Sequence, residues 1–273
     1  MRAVAEQRRP PDRWVVVDDG SDDGTLEVLR ALAADVPFMT VTSTPPRYTK
    51  PSADRLASAA APRAFNFGLR DVRRSEFTHI GKLDGDIELP SDYFERLLSK
   101  FGDSPRLGIA GGVLVERFRG GWRQLQIPRH HVQGALKLYS LECFEAIGGV
   151  HECLAWDGID GVYARMRGFE TRSFTDLVCR HHRPWGSADG TLRGRARHGQ
   201  AAYILHYTPL FTAVRALKVA RATPRLLSGA AFAYGYVRAA LGRDAQVPDP
   251  EFRAFVRAEL GARLREPLKP ISP

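Results

Sequence analysis

The strongest constraint on the fold is a run of apolar residues that ends in paired carboxylates. Residues 14–17 (WVVV) form a continuous, largely β-branched run, which is typical of a strand covered on both faces. An acidic, glycine-containing turn at 18–25 and a helical pattern of leucines follow it. A second such strand, at 77–83, ends in Asp84-Gly85-Asp86. Strands alternating with helices predict an α/β fold, with its ligand beyond the carboxyl ends of the strands.

Further strands and helices continue this alternation to about residue 180. We predict a mostly parallel, Rossmann-like sheet flanked by helices in a first domain, 1–187, and a helical appendage at 188–273. A long loop at 43–61 is rich in Pro, Ser and Ala and contains Arg47, Lys50 and Arg55. A loop of this length is usually functional, and we expect it to close over a ligand as a lid.

The excess positive charge lies in one segment. The chain has 40 basic and 31 acidic residues, and nine of the basic ones lie within 190–243, where Asp and Glu are absent. The same segment is rich in aromatic and apolar residues. Three interpretations compete, namely an anionic membrane surface, a helical subdomain with arginines outward, and a nucleic-acid surface. We favour the membrane and expect no nucleic-acid partner.

Other features bear on the compartment. The three cysteines form no C-x-x-C pair and leave an odd count, which favours a reducing environment over a disulfide framework. The first residues resemble no signal peptide, and no apolar run is long enough to span a bilayer. We therefore expect a cytoplasmic protein, peripheral on the inner face of the plasma membrane.

The two acidic clusters suggest specific chemistry. Asp84 and Asp86 flank Gly85, and hard cations such as Mg²⁺ or Mn²⁺ prefer such oxygen ligands; the plain alternative is a surface turn. Asp18 and Asp19 can accept hydrogen bonds from a nucleobase or ribose. The plain alternative there is that Ser21 or Asp23 caps the next helix.

Taken in order, these segments resemble the family 2 glycosyltransferases, which have the GT-A fold. The resemblance covers residues 1 to about 190 and rests on six motifs, which are 16–25 (VVDDGSDDGT), 66–68 (NFG), 83–86 (LDGD), 144–149 (FEAIGG), 156–160 (WDGID) and 181–183 (HHR). It implies transfer of a sugar from a nucleotide-diphosphate donor to a hydroxyl acceptor, a glycan or lipid-linked glycan of the cell envelope.

The resemblance also implies residue roles. Asp18 and Asp19, with Ser21, would contact the base and ribose, and Asp84 and Asp86 would hold Mn²⁺ or Mg²⁺ against the diphosphate. His181 would complete the metal site, with His182 as the alternative. The further candidates for donor binding are Arg63, Asn66, Lys82 and Gly85. As lone basic residues, Arg63 and Lys82 can equally be solvated or ion-paired.

The acceptor hydroxyl must lose a proton, so a carboxylate base is required. Family members commonly use an acidic pair, often Glu-Asp, and residues 156–160 depart from it. Ungapped matching from Asp160 places Gly158 at the base position. We take Asp157 as the base and Asp160 as the second candidate, which can instead cap the following helix. One base and one displacement imply inversion at the anomeric carbon.

A further departure lies at the N-terminus. Only 13 residues precede Trp14, so we expect the first strand of the GT-A fold to be missing, which would leave two interior strands without a neighbour. Either the true start lies upstream, the chain is a truncated fragment, or another segment fills the gap. Two rival functions are considered. One is a catalytically impaired relative that acts as a membrane-associated partner. The other is a nucleotidyltransferase of related fold, although such an enzyme is expected to have a Gly-rich phosphate loop near its N-terminus, which this chain lacks.

Overall fold

The computed structural model describes residues 1–45, 59–118, 120–125, 127–183 and 190–265. The chain divides into two compact units, 1–183 and 184–273. The predicted boundary at 187 lies outside the described residues. So do Arg47, Lys50 and Arg55 of the predicted lid.

The first unit alternates strands and helices, as the sequence predicted. Its strands are β1 (Trp14–Asp18), β2 (Met39–Ser43), β3 (His79–Leu83), β4 (Ile87–Glu88), β5 (Leu107–Phe118), β6 (Gly121–Gln124), β7 (Leu136–Ser140) and β8 (Glu170–His181). Its helices are α1 (Arg2–Ala5), α2 (Thr25–Asp35), α3 (Ala60–Gly68), α4 (Tyr93–Asp103), α5 (Leu141–Ala146) and α6 (Trp156–Met166).

The strands form two sheets. β1 and β2 pair in parallel, and a six-stranded sheet has the order β3-β7-β5-β8-β4, with β6 paired to β5. The α/β class is confirmed, but the expectation of mostly parallel strands is wrong in detail. Among the described strands, β1–β2 and β5–β8 are parallel, whereas the other pairs are antiparallel. A strand buried on both faces is apolar throughout in either direction, so its composition does not report its orientation.

β1 and β3 each have one strand neighbour among the described residues, β2 and β7 respectively. Helix α3 packs on β1, where a Cβ at Gly68 would come within 2.8 Å of Val17 Cγ2. Phe65 of the same helix packs against the core of the six-stranded sheet, so α3 links the two sheets.

The six-stranded sheet has a core on each face. On one face α4 places Tyr93, Leu97 and Phe101 against apolar residues of β5 and β7, and on the other face α5 and α6 pack over Ile109 and Tyr139. At about 25 cal/mol per Å² of buried apolar area, such two-sided burial is the main stabilising contribution. The carboxyl end of β3 and the start of α6 are thereby held on a packed scaffold.

The second unit consists of helices, as predicted: α7 (Thr191–Ile204), α8 (Pro209–Val219), α9 (Leu227–Leu241) and α10 (Pro250–Arg265). α7 and α9 cross at glycines. A Cβ at Gly199 would lie 1.9 Å from the Phe232 carbonyl oxygen, and one at Gly235 would lie 1.8 Å from that of Ala196. Within the described residues, no helix has the length and apolar character needed to cross a membrane.

Candidate active site

The first acidic cluster lies at the end of β1. Asp18 is buried, and its Oδ1 accepts a hydrogen bond from the Ser21 amide at 3.2 Å. Asp19 Oδ1 accepts a 2.9 Å hydrogen bond from the Thr44 hydroxyl at the end of β2. Gly24 occupies the N-cap position of α2, and Asp23 Oδ1 accepts a 3.2 Å hydrogen bond from the amide of Thr25, the first residue of the helix. Asp23 therefore stabilises the start of α2, whereas Asp18 and Ser21 shape the turn together.

The second cluster follows β3. The buried Lys82 ammonium forms an ion pair with Asp84 Oδ1, and the Asp84 amide donates to the Ala135 carbonyl oxygen at 2.9 Å. Gly85, between the two carboxylates, is exposed. The structure thus joins two predicted donor residues, Lys82 and Asp84, through an ion pair. This was the plain alternative for Lys82.

Asp86 and His181 face each other across the β4–β8 pair. His181 Nε2 lies 3.6 Å from Asp86 Oδ1, and its Nδ1 lies 2.9 Å from Glu116 Oε1. The two carboxylates raise the pKa of His181, Asp86 most, and His181 in turn lowers the pKa of Asp86. The alternative ligand, His182, is directed elsewhere, since its Nε2 is paired with the exposed Glu88 at 2.6 Å. Of the two histidines, His181 is the one that faces Asp86.

The donor atoms of Asp86 and His181 fit a divalent cation. Asp86 Oδ1 is buried and accepts no hydrogen bond from any described residue, because 3.6 Å is too long for one. Carboxylate oxygen with imidazole nitrogen suits Mn²⁺. The described residues contain no preformed group of three such ligands, and Asp84 is paired with Lys82. Asp84 would have to leave Lys82 to become the third.

Trp156, the first residue of α6, lies between two lysines. The Lys82 and Lys137 ammonium groups are 5.1 and 5.2 Å from the centre of its ring. The two lysines are paired residues of β3 and β7, so their side chains lie side by side on the sheet. Asp84, through Lys82, and the start of α6 are thereby linked by cation–π contacts.

Asp157, the expected base, lies in the first turn of α6. Its side chain is 37% exposed, and its Oδ2 is 3.8 Å from His131 Nε2. The main-chain carbonyl of Asp157 accepts a 2.8 Å hydrogen bond from Lys137. Gly134 packs against its Cβ, because a side chain at 134 would come within 3.0 Å of it. Asp157 is thus partly open to solvent on a rigid support.

Asp160, the second candidate for the base, is fully buried. Its carboxylate accepts hydrogen bonds from Lys137 at 2.7 and 2.8 Å, from the Tyr139 hydroxyl at 2.5 Å and from the Gly161 amide at 2.6 Å. Burial raises the pKa of Asp160, and the Lys137 ammonium opposes that rise. Because α6 already begins at Trp156, Asp160 does not cap it. These contacts describe a structural carboxylate.

Arg63 and Asn66 both point to the segment that precedes α6. Asn66 Nδ2 donates to the Val150 carbonyl oxygen at 2.9 Å and to Glu152 Oε1 at 3.1 Å, and Arg63 Nε lies 4.0 Å from Glu152 Oε2. The structure therefore brings these two predicted donor residues together on Glu152. Both side chains would have to exchange Glu152 for a donor.

Sequence reasoning missed Glu116 and Lys137. Each is a buried charged residue in an otherwise apolar strand, 2% and 3% exposed. A charged residue in such a run was the available signal, because a buried charge requires a partner. Their partners, His181 and Asp160, are distant in sequence.

The fold resembles that of two solved structures. A mannosyltransferase, PcManGT from Pyrobaculum calidifontis, solved with GDP-Man and Mn²⁺, is 19% identical over 97% of this chain and 76% of its own, with a TM-score of 0.54. GalNAc-T7, solved with UDP, GalNAc and Mn²⁺, is 9% identical over 94% of this chain and 52% of its own, with a TM-score of 0.52. At these identities the likeness concerns the fold, which is the GT-A fold of glycosyltransferases.

A model of the family described as "Glycosyl transferase family 2" matches residues 1–153, more than half of the chain. The chain belongs to glycosyl transferase family 2. The resemblance read from the motifs is thereby confirmed, and with it a role in sugar transfer. No curated protein sequence matches the chain.

Proposed function

We propose that this chain is an inverting glycosyltransferase that moves a sugar from a nucleotide-diphosphate donor to a hydroxyl acceptor, with help from a divalent cation. The acceptor is a glycan or lipid-linked glycan of the cell envelope. The family and the GT-A fold support sugar transfer. The observation that carries the finer proposal is the Asp86–His181 pair, whose buried carboxylate oxygen accepts no hydrogen bond from the residues that the structure describes.

In this proposal the leaving diphosphate is bound beside β3 and β4. When bound by Asp86 and His181, Mn²⁺ or Mg²⁺ supplies a positive charge that offsets the charge developing on the departing phosphate. Lys82 contributes a second positive charge in a buried position. Asp84 would join Asp86 and His181 as a ligand by leaving Lys82, whose ammonium would then pair with a phosphate oxygen.

Other residues bind the donor. Asp18 and Asp19 accept hydrogen bonds from the base and ribose at the end of β1, and Ser21 maintains the turn through its bond to Asp18. The exposed Gly85 lets the diphosphate approach the main chain. Arg63 and Asn66 exchange Glu152 for the donor.

Asp157 acts as the general base. Its carboxylate is partly exposed, so it can reach an acceptor hydroxyl and accept its proton as that oxygen attacks the anomeric carbon. Asp160 holds the helix that carries it. A single displacement of this kind inverts the anomeric configuration.

A panel of nucleotide sugars tests the donor and the cation. We expect one donor to raise the melting temperature with Mn²⁺ present and less without it. Asp86→Ala should lose that dependence. Asp157→Asn should keep donor binding but lose transfer by 100-fold or more, as expected on removal of a general base. Asp176→Asn, at an exposed carboxylate paired with Arg96 and Lys100, is the matched control.

The outcomes separate the rival functions. Product NMR that shows a retained anomeric configuration would contradict inversion. Donor binding without transfer in the wild type would favour a catalytically impaired partner. Release of pyrophosphate from a nucleoside triphosphate would favour a nucleotidyltransferase.

A second proposal concerns the basic helices. α8 exposes Leu210, Val214 and Leu217 on one face, and α9 exposes Leu227, Tyr234, Val237 and Leu241 along one stripe. Basic residues accompany them without any acidic residue from 190 to 243. Apolar side chains beside arginines suit the headgroup region of an anionic bilayer. We infer that the chain binds the inner face of the plasma membrane peripherally through α8 and α9.

Vesicle co-sedimentation tests this proposal. The full chain should bind vesicles that contain phosphatidylserine, and less so at high salt. Leu217→Ser with Leu241→Ser should weaken binding several-fold, whereas Val28→Ser, at an exposed position on α2, should not. Binding that survives the double substitution would contradict a role for this stripe.

A further inference from the structure

Glu116 is a buried carboxylate at the end of the apolar core of β5. It is 2% exposed and is the register partner of His181 in the parallel β5–β8 pair. Its Oε1 lies 2.9 Å from His181 Nδ1. An apolar residue at this position would avoid the cost of burying a charge, so the carboxylate calls for an explanation beyond packing.

The contact determines which ring nitrogen of His181 carries the proton. An ionised carboxylate can only accept a hydrogen bond, so Nδ1 must donate. In the neutral imidazole, Nε2 then has the free lone pair, and Nε2 is the atom that faces Asp86 Oδ1. The same contact holds the ring in one orientation on a backbone that is paired with Ile87.

We propose that Glu116 is a positioning residue that holds His181 as the Nδ1–H tautomer and directs Nε2 toward the cation bound by Asp86. This inference rests on the metal site proposed above. A carboxylate behind a histidine ligand orients the ring and strengthens the nitrogen as a donor. We assign this role to Glu116 because its carboxylate is within hydrogen-bond distance of His181 Nδ1, the ring nitrogen that does not face Asp86.

The adjacent histidine provides a matched control. His182 is also paired with a glutamate, Glu88, but both side chains are about half exposed, and Nε2 is the nitrogen that Glu88 contacts. A substitution at Glu88 removes the same kind of pair from the neighbouring residue without touching the Asp86–His181 pair.

Two measurements on the full chain test the proposal. The first is Mn²⁺ affinity by calorimetry without donor. Glu116→Gln should bind Mn²⁺ about 10- to 100-fold more weakly, with Glu88→Gln unchanged. The second is the ¹⁵N shift pattern of the His181 ring in the metal-free protein, which should change from a single Nδ1–H tautomer to a mixture in Glu116→Ala.

The results discriminate between the inference and the function on which it rests. If the wild type binds no Mn²⁺, the proposed metal site is wrong, and the tautomer still tests Glu116. If wild type and Glu116→Gln bind Mn²⁺ equally, or if the ring pattern is unchanged in Glu116→Ala, Glu116 is not a positioning residue. If Glu116→Gln or Glu116→Ala fails to fold, Glu116→Asp replaces it, because aspartate keeps the negative charge. An Mn²⁺ affinity of Glu116→Asp that is measurable but weaker than that of the wild type would support the proposal, and an affinity equal to that of the wild type would contradict it.

Discussion

Removing Lys137 should destabilise the first unit strongly. Lys137 donates two hydrogen bonds to Asp160 and one to the main chain of Asp157, and both partners of the ion pair are buried. Lys137→Met keeps the aliphatic volume but leaves the Asp160 carboxylate without its cation. Two other donors remain, the Tyr139 hydroxyl and the Gly161 amide, so the carboxylate is under-compensated rather than bare.

The magnitude follows from burial. Breaking a buried ion pair by removing one partner costs about 3–5 kcal/mol, against a total stability of about 5–15 kcal/mol. The control is Lys100→Met, because Lys100 pairs with Asp176 at 3.3 Å in a half-exposed position. An exposed pair contributes about 0–1 kcal/mol. The two substitutions remove the same charge and differ in burial.

The double variant Lys137→Met/Asp160→Leu separates the ion pair from its surroundings. Removing both charges avoids the uncompensated carboxylate, so the double variant should be at least about 2 kcal/mol more stable than the sum of its single variants implies. A buried pair replaced by apolar side chains is often close to neutral.

Because the chain consists of two compact units, a single unfolding curve is not a reliable measure of the stability of one of them. Hydrogen–deuterium exchange of peptides from β7 and α6, measured across urea concentrations, reports the local opening free energy instead. A loss below about 1 kcal/mol in Lys137→Met, or additive effects in the double variant, would refute the reasoning.

Two further predictions concern close packing and thiols. Gly134→Ala should cost about 1–3 kcal/mol and reduce transfer, because its Cβ would lie 2.8 Å from the indole of the first residue of α6; Gly102→Ala, with open space around it, is the control in the same exchange assay. Burial raises the pKa of Cys143 and of Cys179 to about 12, and it also raises the pKa of the partly buried Cys153. Because Cys143 and Cys179 are buried and Cys153 is only partly so, a disulfide reagent at pH 8 should modify Cys153 faster than the other two in the native protein. Rapid labelling of all three thiols would contradict the described core.

The elements that local sequence signals define were the most predictable. The Trp14–Asp18 strand and the strand before Asp84 were visible because apolar runs and acidic turns are local signals. The pairing of strands was not, because an apolar run reads the same in either direction. The β5–β6 hairpin was also missed, although the adjacent glycines Gly120 and Gly121 are a turn signal in the sequence. Both have positive φ in the structure.

The residues of the candidate site were likewise predicted only in part. Asp86 and His181, named from motifs, lie together in the structure, and their roles remain predictions. Sequence reasoning missed Glu116 and Lys137, because a charged residue in a strand pattern does not show which residue, 65 or 23 positions away, is its partner. The partners become visible only in the folded structure, where β5 pairs with β8 and β7 contacts α6.

The crossing of α7 and α9 has an evolutionary consequence. At Gly199 and Gly235 the two backbones meet with no room for even a methyl group, so any substitution would have to separate the helices. Selection should therefore keep both glycines nearly invariant among homologues, as strictly as residues that touch substrate. Their invariance would reflect the close packing of the two helices and would not indicate a catalytic or binding role.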